Sequence, residues 1–356
     1  MNEEEESFMN LADRDWMEFI VGELFDEINN SKAYHKTQVT ETTVDEKFIP
    51  YISRTQFNNG LELLVEDDED FIKNPGNTIV FGAESATFFY EPFDYITGNK
   101  MYYIKDSHFN RYVCLFLVAL LNKNIGEHFG YSHGLTATRL KQQKIILPVN
   151  DEGEPDYKFM EDYVKEEYKN QSNNLLDLIN LKLNKLEYVE LPGLSELCWG
   201  SFFIESIGEI KSGKDITKKN MVPGDTPYIS STSLNNGVSA FVGNTNNTLE
   251  SNCISINRNG SVGYSFYHPY PALFSNDCRK LITGLDKYTN LFIVNQIKAQ
   301  KDKYNYGYKM GTNRIKRQKI LLPVDERGDI DYEYMRQYMI NMEINMLQKY
   351  MDYINK

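Results

Sequence analysis

The sequence predicts an α+β fold made of two tandem mixed α/β domains, each followed by a long helix. The phrase PYISRTQFNNG at 50–60 recurs as PYISSTSLNNG at 227–237, with eight of eleven positions identical. The stretch RLKQQKIILPVNDEGEPDYKFMEDYV at 139–164 recurs as RIKRQKILLPVDERGDIDYEYMRQYM at 314–339, with half of its positions identical. The offsets of 177 and 175 residues are too long for a solenoid repeat, so they indicate a duplicated domain.

Both copies have the same order of predicted elements. Each opens with an apolar, strand-like segment led by tryptophan, WMEFIVGELF or WGSFFIESIGEI, and continues through short strands and Gly/Asn turns. An apolar helix follows, RYVCLFLVALLNK or NLFIVNQIKAQ. A basic stretch then leads into the strand KIILPV or KILLPV, and the turn NDEG or DERG precedes the long helix.

The long helices carry apolar stripes at i, i+3, i+4 spacings. In the first, from about 156 to 187, the stripe includes Met160, Val164 and Ile179; in the second, from about 331 to the C-terminus, it includes Met335 and Met342. Stripes on helices of this length predict that the two helices pack antiparallel on each other, as a coiled-coil-like spacer.

These elements divide the chain into six predicted segments. They are an acidic, disordered tail (1–15), domain 1 (16–155), long helix 1 (156–190), a linker (191–198), domain 2 (199–330) and long helix 2 (331–356). The N-terminus MNEEEE lacks the basic and apolar parts of a signal peptide, and the apolar run at 113–121 is too short to span a bilayer. We therefore expect a cytoplasmic protein with no membrane partner.

Charge is distributed unevenly along this chain, whose formal net charge is −13. Residues 200–320 hold 16 Lys/Arg against 8 Asp/Glu, a local net of +8, whereas residues 16–148 hold 12 against 18, a local net of −6. A uniformly acidic chain would disfavour a nucleic-acid partner, but a basic second domain is compatible with one.

Catalytic motifs are weak or missing. GEIKSGKD at 208–215 resembles a phosphate loop, but Asp215 follows the lysine where Ser or Thr is needed. Asp156, Glu167 and Lys169 have the order of a metal-nuclease set, yet they are spread along one amphipathic helix, where a helix start and a solvated face explain them better. No Asn-Pro-Pro-Tyr tetrapeptide, CxxC pair or metal-spaced histidines occur. The sequence predicts neither catalysis, nor a cofactor, nor a metal site in this chain.

Side chains suited to DNA gather in three places. Both copies of the PYIS phrase end in loops rich in amides and hydroxyls, which pair with base edges or phosphates, although Asn-Asn-Gly is also typical of a hairpin turn. INRNGSVG at 256–263 places an arginine on a glycine turn, and KYNYGYKMGTNRIKRQK at 303–319 mixes basic and aromatic residues. The candidate DNA-binding residues are Arg54, Gln56, Asn58, Asn59, Arg139, Lys214, Ser231, Ser233, Asn235, Asn236, Arg258, Asn259, Tyr306, Tyr308, Lys309, Asn313, Arg314 and Lys316.

With these motifs the chain resembles the specificity subunits of type I restriction-modification systems and of the related type IIB systems. The resemblance rests on the basic KSGK segment at 211–214, the IS-x6-G loops at 52–60 and 229–237, the Gly turn at 258–263, and the Tyr/Gly segment before an I-x-L-P strand at 306–323. The LPV…G…DY…M junctions are closer to the type IIB branch. Domain 1 departs from the pattern, since VFGAESA at 80–86 holds no arginine.

The resemblance implies two target-recognition domains that read the halves of a bipartite duplex DNA target for adenine N6 methylation and cleavage. It implies partner methyltransferase and nuclease subunits that bring S-adenosylmethionine and magnesium, so this chain would be a non-catalytic subunit. Two alternatives stay open. One is a non-enzymatic protein-binding module with an anti-restriction or phage-defence role, which the overall acidity favours. The other is a metal-dependent nuclease using Asp156 and Glu167.

Overall fold

The computed structural model describes residues 9–44, 46–305 and 307–354. It divides into two compact units: unit 1 extends to Asn174, and unit 2 begins at Leu175. Both are mixed α/β units, and each mixed α/β region is followed by a long helix, as the sequence predicts; the first of these helices begins in unit 1 and ends in unit 2.

Unit 1 contains nine strands and the start of its long helix among the described residues. The elements are β1 (Trp16–Ile20), α1 (Val21–Leu24), β2 (Glu27–Asn30), β3 (Phe48–Ile52), β4 (Leu61–Glu66), β5 (Thr78–Gly82), β6 (Phe88–Glu91), β7 (Ile96–Thr97), β8 (Met101–Lys105), α2 (Arg111–Asn124), α3 (Ala137–Lys141), β9 (Lys144–Pro148) and α4 (Tyr157–Leu183). They form the pair β1-β9, an antiparallel sheet ordered β2-β8-β5-β6, and a sheet ordered β4-β3-β7 in which β3 and β7 are parallel.

Unit 2 repeats this arrangement strand for strand. Its elements are β10 (Trp199–Phe203), β11 (Glu209–Ser212), β12 (Pro223–Ile229), β13 (Val238–Val242), β14 (Cys253–Asn257), β15 (Ser265–His268), β16 (Leu273–Phe274), β17 (Cys278–Ile282), α5 (Lys287–Lys298), α6 (Thr312–Arg317), β18 (Lys319–Pro323) and α7 (Tyr332–Ile354). The sheets are β10-β18, β11-β17-β14-β15 and β13-β12-β16.

The register confirms that the units are copies. Trp16 lies opposite Pro148 across the first pair, and Trp199 lies opposite Pro323 across the second. Each tryptophan stacks on a phenylalanine of the apolar helix, Phe116 or Phe292, with ring centroids 6.4 Å apart and an interplanar angle of 22° in both units. The duplication therefore extends from sequence to side-chain packing.

The tryptophan-led segments are not single strands, which corrects the sequence prediction. The backbone N–H of Val21 donates to the carbonyl of Gln143, and that of Ile204 donates to the carbonyl of Gln318. Val21 and Ile204 are fully buried. The turn after each first strand also buries an apolar side chain, so the apolar run continues through the turn. The end of the strand therefore leaves no mark in the hydrophobicity pattern.

The first long helix is shorter than its apolar stripe suggests, since α4 spans 27 residues and ends at Leu183. In unit 1, Tyr163 of α4 contacts Phe116 of α2. In unit 2, the end of α4 and the segment after it run antiparallel to α7. Lys182 pairs with Glu343, and further along, Pro192 accepts a hydrogen bond from the Tyr334 hydroxyl. Within unit 2 it is therefore mainly the non-helical segment after α4 that lies antiparallel along α7, and one ion pair joins the end of α4 itself to α7.

The N-terminal segment is ordered where it is described, which corrects the expectation of disorder for that part. Asn10 caps a short turn, and the Trp16 indole N–H donates to the carbonyl of Leu11. Arg14 lies over the Phe159 ring and 3.6 Å from an Asp156 carboxylate oxygen. Residues 1–8 lie outside the described residues. Across the described chain, no helix is both long and apolar enough to cross a membrane.

Candidate nucleic-acid interface

The repeated phrase builds the same turn in both units. Asn58, Asn59 and Gly60 all have positive φ, at 50°, 51° and 80°; Asn235, Asn236 and Gly237 follow at 48°, 51° and 80°. Asn and Gly tolerate this left-handed region best, which explains why the same three letters recur. The hairpin-turn interpretation of Asn-Asn-Gly is therefore correct for the backbone.

The turn holds a loop of fixed shape. In unit 1 the Thr55 hydroxyl accepts from the Phe57 backbone N–H at 3.1 Å, and in unit 2 the Thr232 hydroxyl accepts from the Leu234 N–H at 3.2 Å. Both loops close through a backbone hydrogen bond between their ends. We name these segments the tip loops, 53–60 and 230–237. Phe57 is 79% exposed and Leu234 is 70% exposed, so each tip presents an apolar side chain to solvent.

The tip loop of unit 1 lies beside the segment after β5. The guanidinium of Arg54 pairs with Glu84, and Glu84 also accepts from Lys100 at 2.7 Å. Gln56 donates to the backbone carbonyl of Ser85 at 3.4 Å. These residues, Lys100 excepted, line an open cleft of about 960 Å³. The pairs hold the pKa of the Glu84 carboxyl below its usual range, mainly through the Lys100 hydrogen bond.

The tip loop of unit 2 has a different neighbour. The Ser261 N–H donates to the Ser231 carbonyl at 3.0 Å, and the Asn257 side chain donates to the Thr232 carbonyl at 2.9 Å. A Cβ on Gly260 would lie 2.6 Å from the Ser231 carbonyl oxygen, so a glycine is needed for this approach. The predicted Gly turn and the predicted tip loop thus form one surface.

Asp277 organises the charged side of that surface. Its carboxylate lies 3.7 Å from Arg258 Nε and accepts from Asn259 Nδ2 at 3.3 Å. The neighbouring Arg279, 4% exposed, donates to the Thr312 hydroxyl at 2.6 Å and to the carbonyl of Asn276 at 2.7 Å. Arg279 therefore joins the turn at 275–278 to helix α6.

The basic helices are anchored identically in the two units. Arg139 donates from Nη1 to the Gly134 carbonyl in unit 1, and Arg314 donates from Nη1 to the Lys309 carbonyl at 2.6 Å in unit 2. The Arg314 guanidinium also lies 3.9 Å from the ring centroid of Tyr308. Part of each arginine therefore fixes its own loop, while both residues stay exposed. Tyr306 lies outside the described residues.

The segment that contains Lys214 packs against residues 274–276 of unit 2 by a tight backbone approach. The Lys214 N–H donates to the Phe274 carbonyl at 2.7 Å, and a Cβ on Gly213 would lie 2.1 Å from the Ser275 carbonyl oxygen. The following Asp215 accepts from the Asn276 backbone N–H at 2.8 Å. This GK segment is thus a packed turn against 274–276, consistent with the rejection of a phosphate loop.

Most of the predicted residues are brought together within their own unit. In unit 1, Arg54, Gln56, Asn58 and Asn59 share the tip loop, and the Arg139 loop touches the segment after β5 because Leu135 N–H donates to the Ala83 carbonyl. In unit 2, one face collects the tip loop, the Gly turn and α6. It includes Ser231, Ser233, Asn235, Asn236, Arg258, Asn259, Tyr308, Lys309, Asn313, Arg314 and Lys316.

Sequence reasoning missed Glu84, Lys100, Asp277 and Arg279, as well as the apolar tips. The charged residues carry no local motif, and the side chains that they pair with lie 16 to 33 positions away in the chain. The tips did carry a signal. Phe57 and Leu234 are apolar inside otherwise polar tip loops, at one of the three positions where the repeated phrase differs.

The proposed metal-nuclease set has a structural explanation. Asp156 Oδ1 accepts from the Phe159 backbone N–H at 2.9 Å, and Asp331 Oδ1 accepts from the Tyr334 N–H at 2.9 Å. Both carboxylates therefore cap the start of a long helix. Within the described ranges, no three His, Cys, Asp or Glu side chains lie together in a way that would hold a metal ion.

Two duplicated α/β units with polar loop faces, each followed by a long helix, match the architecture that the sequence predicts for a subunit with two target-recognition domains. Residues 13–178 and 197–350 both match the model of the type I restriction modification DNA specificity domain. Because these two matches cover most of the chain, the chain belongs to this family. The comparisons give no support to the protein-binding or nuclease alternatives.

The chain is similar to a restriction-enzyme subunit along nearly its whole length. It is 36% identical over 335 residues to the type II restriction enzyme specificity subunit S.BcgI of Heyndrickxia coagulans, over 91% of this chain and 94% of that protein. It also resembles in fold the S subunit of a type I restriction-modification system from M. genitalium, with a TM-score of 0.53, 16% identity, and 98% and 93% of the two chains covered. The chain is a restriction-modification specificity subunit.

Proposed function

We propose that the chain reads a bipartite, asymmetric duplex target, one half through each unit. The strongest supporting observation is that the two tip loops share one backbone conformation but carry different side chains. The two tip loops have the same turn, yet Arg54 of unit 1 corresponds to Ser231 of unit 2, and Gln56 corresponds to Ser233. A fixed scaffold that varies its exposed polar groups is what base recognition requires, because base contacts give sequence specificity while the scaffold sets position.

The positions behind the tip loops differ as well. The Ala83 N–H donates to the Lys100 carbonyl, and the Arg258 N–H donates to the Asp277 carbonyl, so these pairs occupy the same place in the two sheets. Unit 1 therefore has an alanine and a lysine where unit 2 has an arginine and an aspartate. Surfaces with opposite charge at one position favour different base edges, so the half-sites differ in sequence.

We further propose that the chemistry belongs to partner subunits. The methyltransferase subunits would bring S-adenosylmethionine and methylate adenine N6 after flipping the base, and a magnesium-dependent nuclease module would cleave. In the type IIB arrangement, which the similarity to a type II specificity subunit favours, both activities share one partner polypeptide. This chain then contributes no catalytic residue.

Selection from a random DNA pool tests the proposal. The chain, assembled with its methyltransferase partner, is incubated with randomised duplexes, and the retained duplexes are sequenced. We expect two specified blocks separated by unread positions, with adenine N6 methylation confined to those blocks when S-adenosylmethionine is added. A single continuous block, or binding without sequence preference, would contradict the proposal. Methylation by the chain without its partner would contradict the assignment of catalysis.

A further inference from the structure

Each unit fixes one arginine against one carboxylate on its candidate DNA face. In unit 1, Arg54 Nη1 donates to a Glu84 oxygen, and the other oxygen of Glu84 accepts from Lys100. In unit 2, Arg258 Nε lies 3.7 Å from Asp277, which also accepts from Asn259. The two arginines come from different segments: Arg54 from the tip loop and Arg258 from the Gly turn.

The Arg54 side chain is restrained along its length. A Cβ on Gly82 would lie 2.9 Å from Arg54 Cγ, so the arginine stem passes directly over that glycine. The Arg54 side chain is 33% exposed and that of Glu84 is 24% exposed. A partly exposed guanidinium held at both stem and head loses little conformational entropy when it binds a further acceptor.

Arg258 is restrained through its backbone and through one ion pair. Its backbone N–H donates to the Asp277 carbonyl at 2.9 Å, and its side chain, 32% exposed, faces the Asp277 carboxylate. Behind the pair, the buried Arg279 hydrogen-bonds the backbone on either side of Asp277, at Asn276 and Cys278. The carboxylate therefore sits on a turn that is itself held in place.

The net charge around each arginine distinguishes a role in base recognition from a role in phosphate binding. Phosphate contact is driven by unneutralised positive charge and release of counterions. Asp277 neutralises the charge of Arg258, and Glu84 neutralises one of the two positive charges of Arg54 and Lys100, so each arginine attracts phosphate less than an unpaired one would. An arginine has five N–H donors. An arginine that uses one or two of these donors on a carboxylate keeps the remaining donors for the O6 and N7 acceptors of guanine. This arginine–guanine contact is the commonest specific contact in the major groove.

We propose that Arg54 and Arg258 each read a guanine, one in each half-site, and that Glu84 and Asp277 are the positioning residues that aim them. This rests on the proposed bipartite recognition and names the base and the residues. Because the two arginines lie in different loops, the guanines fall at different places within the two half-sites. Glu84 and Asp277 act through the arginines and determine specificity without contacting the base themselves.

The experiment measures binding of the complete complex to its selected target and to variants with each base pair replaced singly. Arg54→Gln should lose about 5- to 150-fold of discrimination at one G·C pair in one block, with the other block unchanged. Arg258→Gln should do the same at one G·C pair in the other block. Glu84→Gln and Asp277→Asn should weaken discrimination at the same two pairs as their arginines. Lys105→Gln, which breaks the Lys105–Glu27 ion pair at 3.7 Å between strands β8 and β2 of unit 1, is the matched control and should change neither.

Arg54→Lys separates guanine reading from simple charge. It keeps the positive charge but replaces the planar two-donor fork by a flexible ammonium, so it should keep the salt slope and lose a large part of the discrimination. Full discrimination by Arg54→Lys would overturn the proposal. So would an Arg54→Gln effect that is equal for all sequences and lowers the salt slope by about one, because that is the signature of a phosphate contact. If the unmodified complex selects no two-block target, the proposed function itself is contradicted. If the complex selects a two-block target but no G·C pair depends on Arg54 or Arg258, only the assignment of guanine to these arginines is contradicted.

Discussion

Asn59 and Asn236 have the same backbone conformation, φ 51° and ψ 33°, in the two tip loops. An L-residue in this region costs roughly 1–2 kcal/mol, although Asn tolerates it better than most. The chain holds two adjacent asparagines and a glycine there in each unit. The fold therefore maintains an unfavourable turn twice in order to fix the shape of the loops that we assign to DNA.

Substituting this asparagine distinguishes its backbone role from its amide. Asn59→Gly should keep the stability of the chain, because glycine adopts positive φ freely, whereas Asn59→Ala should destabilise it by about 1 kcal/mol. Urea denaturation midpoints measure both. If the amide also reads a base, Asn59→Gly folds normally yet loses discrimination at one base pair in the selection assay. Equal stability of the Ala and Gly variants would contradict the strained-turn account.

The exposed apolar tips should matter for DNA binding and not for folding. Phe57→Ala should change stability by less than about 0.5 kcal/mol, because the ring is exposed. It should nevertheless weaken specific DNA binding, since an apolar side chain at a recognition loop contacts thymine methyl groups or sugar surface. Leu234→Ala should behave likewise for the other half-site. Fluorescence anisotropy with labelled target duplex gives the affinity; unchanged affinity in both variants would place the tips away from the duplex.

Phosphate affinity should come mainly from unit 2, because its local net charge is +8 against −6 for the corresponding part of unit 1. Neutralising Lys309, Arg314, Lys316 and Arg317 together should flatten the salt dependence of affinity, and the slope should fall by about one for each phosphate that the variant no longer binds. Neutralising Lys141 and Lys144 of unit 1 removes two charges and should change the slope less for each charge removed. An unchanged slope in the unit 2 variant would contradict this assignment.

The corresponding edge strands of the two units, β6 and β15, each end in a buried titratable residue. The two residues have opposite effects on how stability depends on pH. Glu91 pairs in register with Thr78, and His268 pairs with Cys253. Burial raises the pKa of Glu91 from 4.5 to about 8, and lowers the pKa of His268 from 6.5 to about 4. The Glu91 contribution to stability is thus present below pH 4.5 and is lost as pH rises through about 8. The His268 contribution is present above pH 6.5 and is lost as pH falls through about 4.

Denaturation midpoints measured from pH 4 to pH 9 test both signs. Glu91→Gln should flatten the loss of stability between pH 4.5 and 8, where the folded state holds one extra proton and the slope approaches about 1.4 kcal/mol per pH unit. His268→Gln should flatten the acid side, between pH 6.5 and 4. Each variant is the control for the other. A Glu91→Gln chain with the original slope above pH 4.5 would contradict the assignment of that carboxyl.

The duplication and the order of elements were predictable from the sequence, because two similar stretches of sequence form the same packed structure. Trp16 and Trp199 and the KIILPV and KILLPV strands were identified from sequence, and each tryptophan lies opposite the proline that closes its partner strand. The break at Val21 was not predictable, because a buried turn residue reads as part of an apolar strand.

The charged clusters were hidden from sequence for a different reason. Glu84 meets Arg54 only because β5 and the tip loop are brought together by sheets whose pairings are long-range. From the sequence, Arg279 is a basic residue in an ordinary strand, yet it is 4% exposed and joins the turn at Asn276 to helix α6 at Thr312. These ion pairs and hydrogen bonds depend on how distant segments are placed in the fold, and a local sequence pattern does not show that placement.

The most direct test of one-unit-per-half-site recognition is a reciprocal transplant between the tip loops. Because the turns are the same, Arg54→Ser, Gln56→Ser and Phe57→Leu give unit 1 the side chains of unit 2, and Ser231→Arg, Ser233→Gln and Leu234→Phe do the reverse. Each triple variant, assembled with its partner, is put through selection from randomised duplexes. The account predicts that each transplant alters base preference within one block only, and that the two variants affect different blocks. Changes in both blocks from one transplant, or a uniform loss of affinity with both blocks unchanged, would contradict it.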